Sequence, residues 1–170
     1  MLVVSNTSPI LNLAMIGYLD LLRQQFGDVI IPPAVFSELR PGEDLPGSLA
    51  IRQAIDSGWL RMMPVEKSSL YQSVSREIDH GEAEAIAVQL HADLILLDER
   101  DGRRVAKRLS LQTTGVLGVL LKAFRLGTIA DLAQVLTRLE QEAGFRIGEH
   151  LRRSTLVEAA QLIERGHESP

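Results

Sequence analysis

The segment "ADLILLD", residues 92–98, constrains this chain more than any other. Leu94 to Leu97 are apolar at every position, so a strand built from them has no face to offer to water. Such runs belong to parallel sheets covered on both sides. Three further stretches read as short strands, "LVVS" (2–5), "DVIIP" (28–32) and "WLRMMPV" (59–65), and "LQTTG" (111–115) as a strand and turn. Between them lie segments with helical punctuation. Ser8-Pro9 reads as an N-cap and first-turn pair, Pro32-Pro33 as a helix start, and Gly27 and Gly127 as helix stops. "GEAEAIAVQLH" places Ala83, Ile86, Ala87 and Leu90 on one helical face. Strands alternating with helices at this spacing predict an α/β sandwich around a parallel sheet of four or five strands.

Beyond Gly127 only helical periodicity remains. Leu132, Val135, Leu136 and Leu139 form one stripe, and Leu156, Ala159, Ala160 and Ile163 another. The expected organisation is therefore an α/β core over 1–127 and a helical extension over 128–170, within a single domain of 170 residues. Cysteine is absent, which excludes disulfides and thiolate metal sites. The formal charge of −4 argues against a chain coated in basic surface for nucleic acid, yet leaves room for a basic stripe beside an acidic cleft. Seven aromatic residues are too few for broad base-stacking platforms. No basic segment precedes the apolar N-terminus, and no run of about 20 apolar residues is present to span a bilayer. The expectation is a soluble, cytoplasmic protein with no membrane partner.

In an open parallel sheet, ligands bind outside the carboxyl ends of the strands. That rule selects Asp98, at the end of "LILLD", and Asn6-Thr7-Ser8, at the end of the first strand. Glu82 opens the helix leading to "LILLD", Glu38 lies in the helix after the second strand, and Asp101 one turn into the helix after Asp98. Carboxylates converging without cysteine or clustered histidine suit hard cations, Mg²⁺ or Mn²⁺, which activate water for phosphodiester hydrolysis. Each residue also has a plainer reading. Asp98 can cap the next helix, Glu38 and Glu84 can be solvated surface residues, and Asp101 can pair with Arg104. Helical spacing does not choose between Glu82 and Glu84. Glycine-rich nucleotide loops and a G-x-S-x-G elbow are absent.

The stretches "VVSNTSPILNL", "IPPAVFSEL", "GEAEAIAVQLHADLILLDERDGRRVAKRL", "TGVLGVLLKA" and "GFRIGEHL" together resemble the PIN-domain family, small metal-dependent ribonucleases that include many toxins of prokaryotic toxin–antitoxin pairs. The similarity is to a subgroup of largely uncharacterised prokaryotic members and covers essentially the whole chain. It implies a three-layer α/β/α PIN-like fold with four acids at one edge of the sheet. Those positions fall on Asn6, Glu38, Glu82 and Asp98, as catalytic and metal-holding residues, with Asp101 an additional acid. Thr7 or Ser8 matches a hydroxyl that orients the first position. Arg100, Arg103, Arg104 and Lys107 follow on the next helix as candidate phosphate contacts or as a solvated face. The implied activity is Mg²⁺- or Mn²⁺-dependent cleavage of RNA, with an antitoxin protein and a second copy of the chain as partners. Asn6 departs from the pattern, because an amide brings no charge. The resemblance thus also leaves room for a weak or inactive RNA- or protein-binding module.

Overall fold

A computed structural model of the chain describes residues 1–64, 66–77, 87 and 91–167. The expected strands form, each only two or three residues long: β1 (Val3–Ser5), β2 (Val29–Ile31), β3 (Leu60–Met62), β4 (Leu94–Leu96) and β5 (Thr113–Thr114). They make one five-stranded sheet in the order β3-β2-β1-β4-β5, with every pairing parallel. Val3 stands opposite both Val29 and Leu94, which fixes β1 at the centre.

Parallel neighbours need crossover connections, and helices supply them. α1 (Thr7–Met15) and α2 (Asp20–Phe26) lead from β1 to β2, and α3 (Pro33–Leu39) and α4 (Ser48–Asp56) from β2 to β3. α5 (Ser69–Glu77) follows β3, and α6 (Arg100–Arg108) joins β4 to β5. α7 (Val116–Arg125), α8 (Leu132–Glu142) and α9 (Glu149–His167) complete the described chain. Residues 81–90, expected to be helical and to carry Glu82 and Glu84, lie outside the described residues, Ala87 excepted.

The period of two along each strand divides the core. Val3, Val29, Ile31, Leu60 and Leu96 bury on one face with Ile10 and Leu13 of α1 and Leu120 of α7. Val4, Ile30, Ile95 and Leu97 bury on the other, against Ala87 and Ala106. Two covered faces make a three-layer α/β/α fold and account for strands that are apolar throughout. Ile129, Leu132, Val135, Leu136, Leu139 and Ala159 join the first of these clusters, so the C-terminal helices pack on the core.

Two local expectations are corrected. The N-cap of α1 is Asn6, not Ser8: its backbone is extended and its Oδ1 accepts from the N–H of Thr7 at 2.9 Å. Ser8 and Pro9 lie inside the first turn, where the missing N–H of proline costs no hydrogen bond. The serine hydroxyl is thereby released for another use. On α9 the inward face runs through Thr155 and Ala159, with Leu156 partly buried, while Ala160 is exposed. The side chain of Ile163 lies outside the described residues.

Candidate active site

From β1 the chain builds outward through β2 and β3, then returns to place β4 on the other flank of β1. The crevice between the carboxyl ends of β1 and β4 is therefore the topological switch point, where open α/β sheets bind their ligands. Asn6 follows β1 directly, and its N–H donates to the carbonyl of Leu96 at 3.0 Å. Asp98 and Glu99 follow β4 in the segment leading to α6, where Glu99 is the N-cap residue with extended backbone. Glu38 reaches the same edge from the last turn of α3.

A chain of hydrogen bonds ties these residues together. The Thr7 hydroxyl donates to Glu38 Oε2 in a very short bond. The Ser8 hydroxyl donates to Asp98 Oδ2 at 3.0 Å and accepts from Asn12 Nδ2 at 2.9 Å. Asp98 Oδ1 accepts the backbone N–H of Val116, the first residue of α7, at 2.9 Å. The carboxylate thus also sits at a helix N-terminus, where orphan N–H groups favour negative charge. Asn6 Nδ2 lies 3.5 Å from Glu99 Oε2, so the amide offers this acid a donor. Gly115 permits the packing: any Cβ there would collide with Asp98 Oδ1 and Arg103 Nη2.

Electrostatically the edge is crowded with negative charge. Burial holds the Asp98 carboxyl above the usual carboxylate range, against the lowering influence of the Val116 N–H, the Ser8 hydroxyl and Arg103. Glu99 is raised too. Loss of surrounding water leads, and the charges of Asp98 and Glu38 add to it, while its own backbone N–H and Arg103 oppose it. Three carboxylates share this region, and Arg103 is the cation that acts on two of them.

The basic residues of α6 divide by helical face. Arg100, Arg103 and Lys107 are spaced i, i+3, i+7 and line two adjoining hollows. One, about 490 Å³, begins at Asp98 and runs between Arg100 and Arg103 on one side and Leu117, Phe145 and Leu151 on the other. The second, about 460 Å³, continues past Arg103 to Lys107 and Gln112. Arg104 instead pairs with Asp101 at 3.5 Å, both side chains more than two-thirds exposed.

The structure thus brings together Asn6, Thr7, Ser8, Glu38 and Asp98 from three separate elements. It places Asp101 on the solvent side of α6, beside Arg104, and Glu82 lies outside the described residues. Glu99 is the residue that the sequence reading missed. Its signal was faint: in the run Asp98-Glu99-Arg100-Asp101 only the departure angle of α6 decides which second acid turns inward.

Among the described residues, no three His, Cys, Asp or Glu side chains form a group that could hold a metal ion. The donor chemistry is nonetheless uniform. Carboxylate, amide and hydroxyl oxygens converge without nitrogen or sulfur, the set that suits a hard divalent cation. A divalent cation would offset the burial that raises the Asp98 and Glu99 carboxyls and, at Glu99, the added charges of Asp98 and Glu38. No described helix is long and apolar enough to cross a membrane.

Comparison with known families gives one finding: a family model described as a PIN domain matches residues 2–161. The curated proteins and the solved structures give no match.

Proposed function

The chain belongs to the PIN-domain family, whose members are generally metal-dependent nucleases, and from that premise we propose that it is an endoribonuclease hydrolysing RNA phosphodiester bonds with Mg²⁺ or Mn²⁺. The observation that carries this reading is the convergence of Asn6, Glu38, Asp98 and Glu99 at the switch point, beside a row of cations on α6. Glu38, Asp98 and the Asn6 carbonyl, together with Glu82, are the residues that would hold the ion. When bound, a divalent cation supplies a water ionised near neutral pH and neutralises charge on the phosphodiester.

The protein's own residues do the rest. Ser8 and the Val116 N–H fix both oxygens of Asp98, so that its carboxylate keeps one orientation. Thr7 holds one oxygen of Glu38, Oε2. Arg103 acts on Asp98 and Glu99 and lines both hollows along α6, placed to hold a substrate phosphate beside them. Asn6 attenuates the site: its Oδ1 already accepts from Thr7, and its amide adds no charge. The toxin role, with an antitoxin protein and a second copy of the chain as partners in the cytoplasm, belongs to the same proposal. It rests on the resemblance to prokaryotic toxins.

The test is RNA cleavage with Mn²⁺ by stringently purified wild type and Asp98→Asn. Replacing a group that holds the ion should lower the rate at least 10- to 100-fold, the cost of losing even its supporting partners. Equal cleavage by the two proteins would sink the assignment. RNA binding without cleavage in wild type, with cleavage gained in Asn6→Asp, would instead indicate a binding module that has lost its chemistry.

A further inference from the structure

We propose that the hollow beginning at Asp98 is a nucleobase subsite, which seats the base of one nucleotide flanking the scissile phosphate. The inference rests on the ribonuclease reading above and deepens it by assigning the base-binding wall to Leu117 of α7 and to Phe145 and Leu151 of the C-terminal extension.

Three observations carry it. The hollow is contiguous with the acid cluster, since Asp98 lines it, and its volume of about 490 Å³ falls within the range of small-ligand sites. Its two walls differ in chemistry. Arg100 and Arg103 supply cations on the α6 side, whereas Leu117, Phe145 and Leu151 supply an apolar surface on the other. A nucleotide has this same polarity, with a charged phosphate at one end and a flat apolar base at the other. An apolar peptide would leave the two arginines facing apolar surface, and free phosphate would not use the apolar wall.

The wall is also fixed in place. Gly144 adopts the left-handed conformation (φ 66°) as α8 ends, and the Phe145 N–H turns back to the Leu139 carbonyl at 3.2 Å. The ring packs partly on the main core cluster and keeps a surface toward the hollow. Leu151, in the first turn of α9, is 48% exposed, an apolar side chain left beside a charged cleft. Arg152, the next residue, anchors this turn through Glu140 and Thr137 of α8. One aromatic ring suits one base, and an aromatic face accepts any base because each has a π-surface.

The test uses fluorescence anisotropy of a short single-stranded RNA, in Ca²⁺ to suppress turnover, alongside a set of oligonucleotides carrying one abasic position each. The variants are Leu151→Ser, on a half-exposed side chain, and Phe145→Leu, which keeps the packing and removes the aromatic face. Each should weaken binding of intact RNA about five- to hundredfold, the span of one base stack. Neither should weaken the oligonucleotide whose abasic position falls in the hollow, and Phe145→Tyr should restore affinity. Unchanged affinity for intact RNA in both variants overturns the subsite, while wild-type binding and cleavage leave the ribonuclease reading standing. Equal weakening of intact and abasic RNA also overturns it. A change in oligomeric state with Leu151→Ser at constant RNA affinity overturns it in favour of a protein interface. Failure of wild type to bind any RNA overturns both readings.

Discussion

Gly115→Ala adds one methyl group at the tightest point of the acid edge. Gly115 has φ −136° and ψ −171°, an extended conformation that alanine adopts freely, so the effect is steric and not a matter of backbone strain. The new Cβ would meet Asp98 Oδ1 and Arg103 Nη2 inside contact distance and stand 3.1 Å from the Leu97 carbonyl. Arg103 can swing its flexible end away. The Leu97 carbonyl belongs to the backbone beyond β4 and cannot. To regain ordinary separation the Asp98 carboxylate must retreat by about 1 Å. That retreat lengthens its 2.9 Å bond from the Val116 N–H past the hydrogen-bond range. A hydrogen bond to a charged group is worth about 1.5–3 kcal/mol, and overpacking of a well-filled site costs about 1–3 kcal/mol. The expected loss is about 2 kcal/mol, or about 4–8 °C in Tm for a chain of this size. A 1 Å displacement of a reacting group can also lower the rate about 100-fold. Thermal unfolding in EDTA measures the first effect and RNA cleavage with Mn²⁺ the second. Gly42→Ala is the control, since a Cβ there meets nothing within 4 Å. A Gly115→Ala protein that melts and cleaves like wild type would refute the claim that this glycine sets the position of Asp98.

Three other outcomes follow from the same geometry. Ser8→Ala removes the donor to Asp98 and strands Asn12, only 8% exposed, without its acceptor, so urea unfolding should show a loss of about 1–3 kcal/mol. An unchanged midpoint with unchanged slope would count against it. Because the folded Asp98 carboxyl titrates above its ordinary value near 3.8, its contribution to stability is full below that value and lost as pH rises through the raised one. In EDTA the stability of Asp98→Asn relative to wild type should therefore increase with pH across this window and then level off; a flat difference contradicts the burial argument. Asn6→Asp sets a further negative charge against Glu99, beside those of Asp98 and Glu38, where the amide now stands 3.5 Å away. It should lower Tm in EDTA and enlarge the Tm increase caused by Mn²⁺, as expected when the ion binds only the folded state. Identical Mn²⁺ responses in the two proteins would show that this position does not face the ion.

Much of this arrangement was legible in the chain because it is local. The apolar run of "LILL" requires a covered strand, and the positions after two such strands, Asn6 and Asp98, can only face the sheet edge. Glu38 carries only a weak signal of its own, one glutamate on a short helix after the second strand, and the family resemblance gave it a place in the acid set. Other features depend on angles that no spacing encodes. Asn6 and Ser8 are both good caps, and which one closes α1 depends on where β1 ends. Glu99 and Asp101 are equally acidic, and the path of α6 sends one toward Asn6 and the other to Arg104. The wall of the hollow was invisible for a further reason. Asp98, Leu117 and the Phe145–Leu151 segment lie far apart along the chain and meet only after α8 and α9 have docked on the core.

That separation along the chain has an evolutionary consequence. The described acids come from residues 38–99, whereas the apolar wall comes from α7, α9 and the segment between α8 and α9, none of which supplies an acid to the cluster. Substitutions at Phe145 or Leu151 can alter how tightly the flanking base is held while Asp98 keeps its bonds to Ser8 and Val116. A lineage built on this plan can retune how firmly it grips its substrate without rebuilding its chemistry.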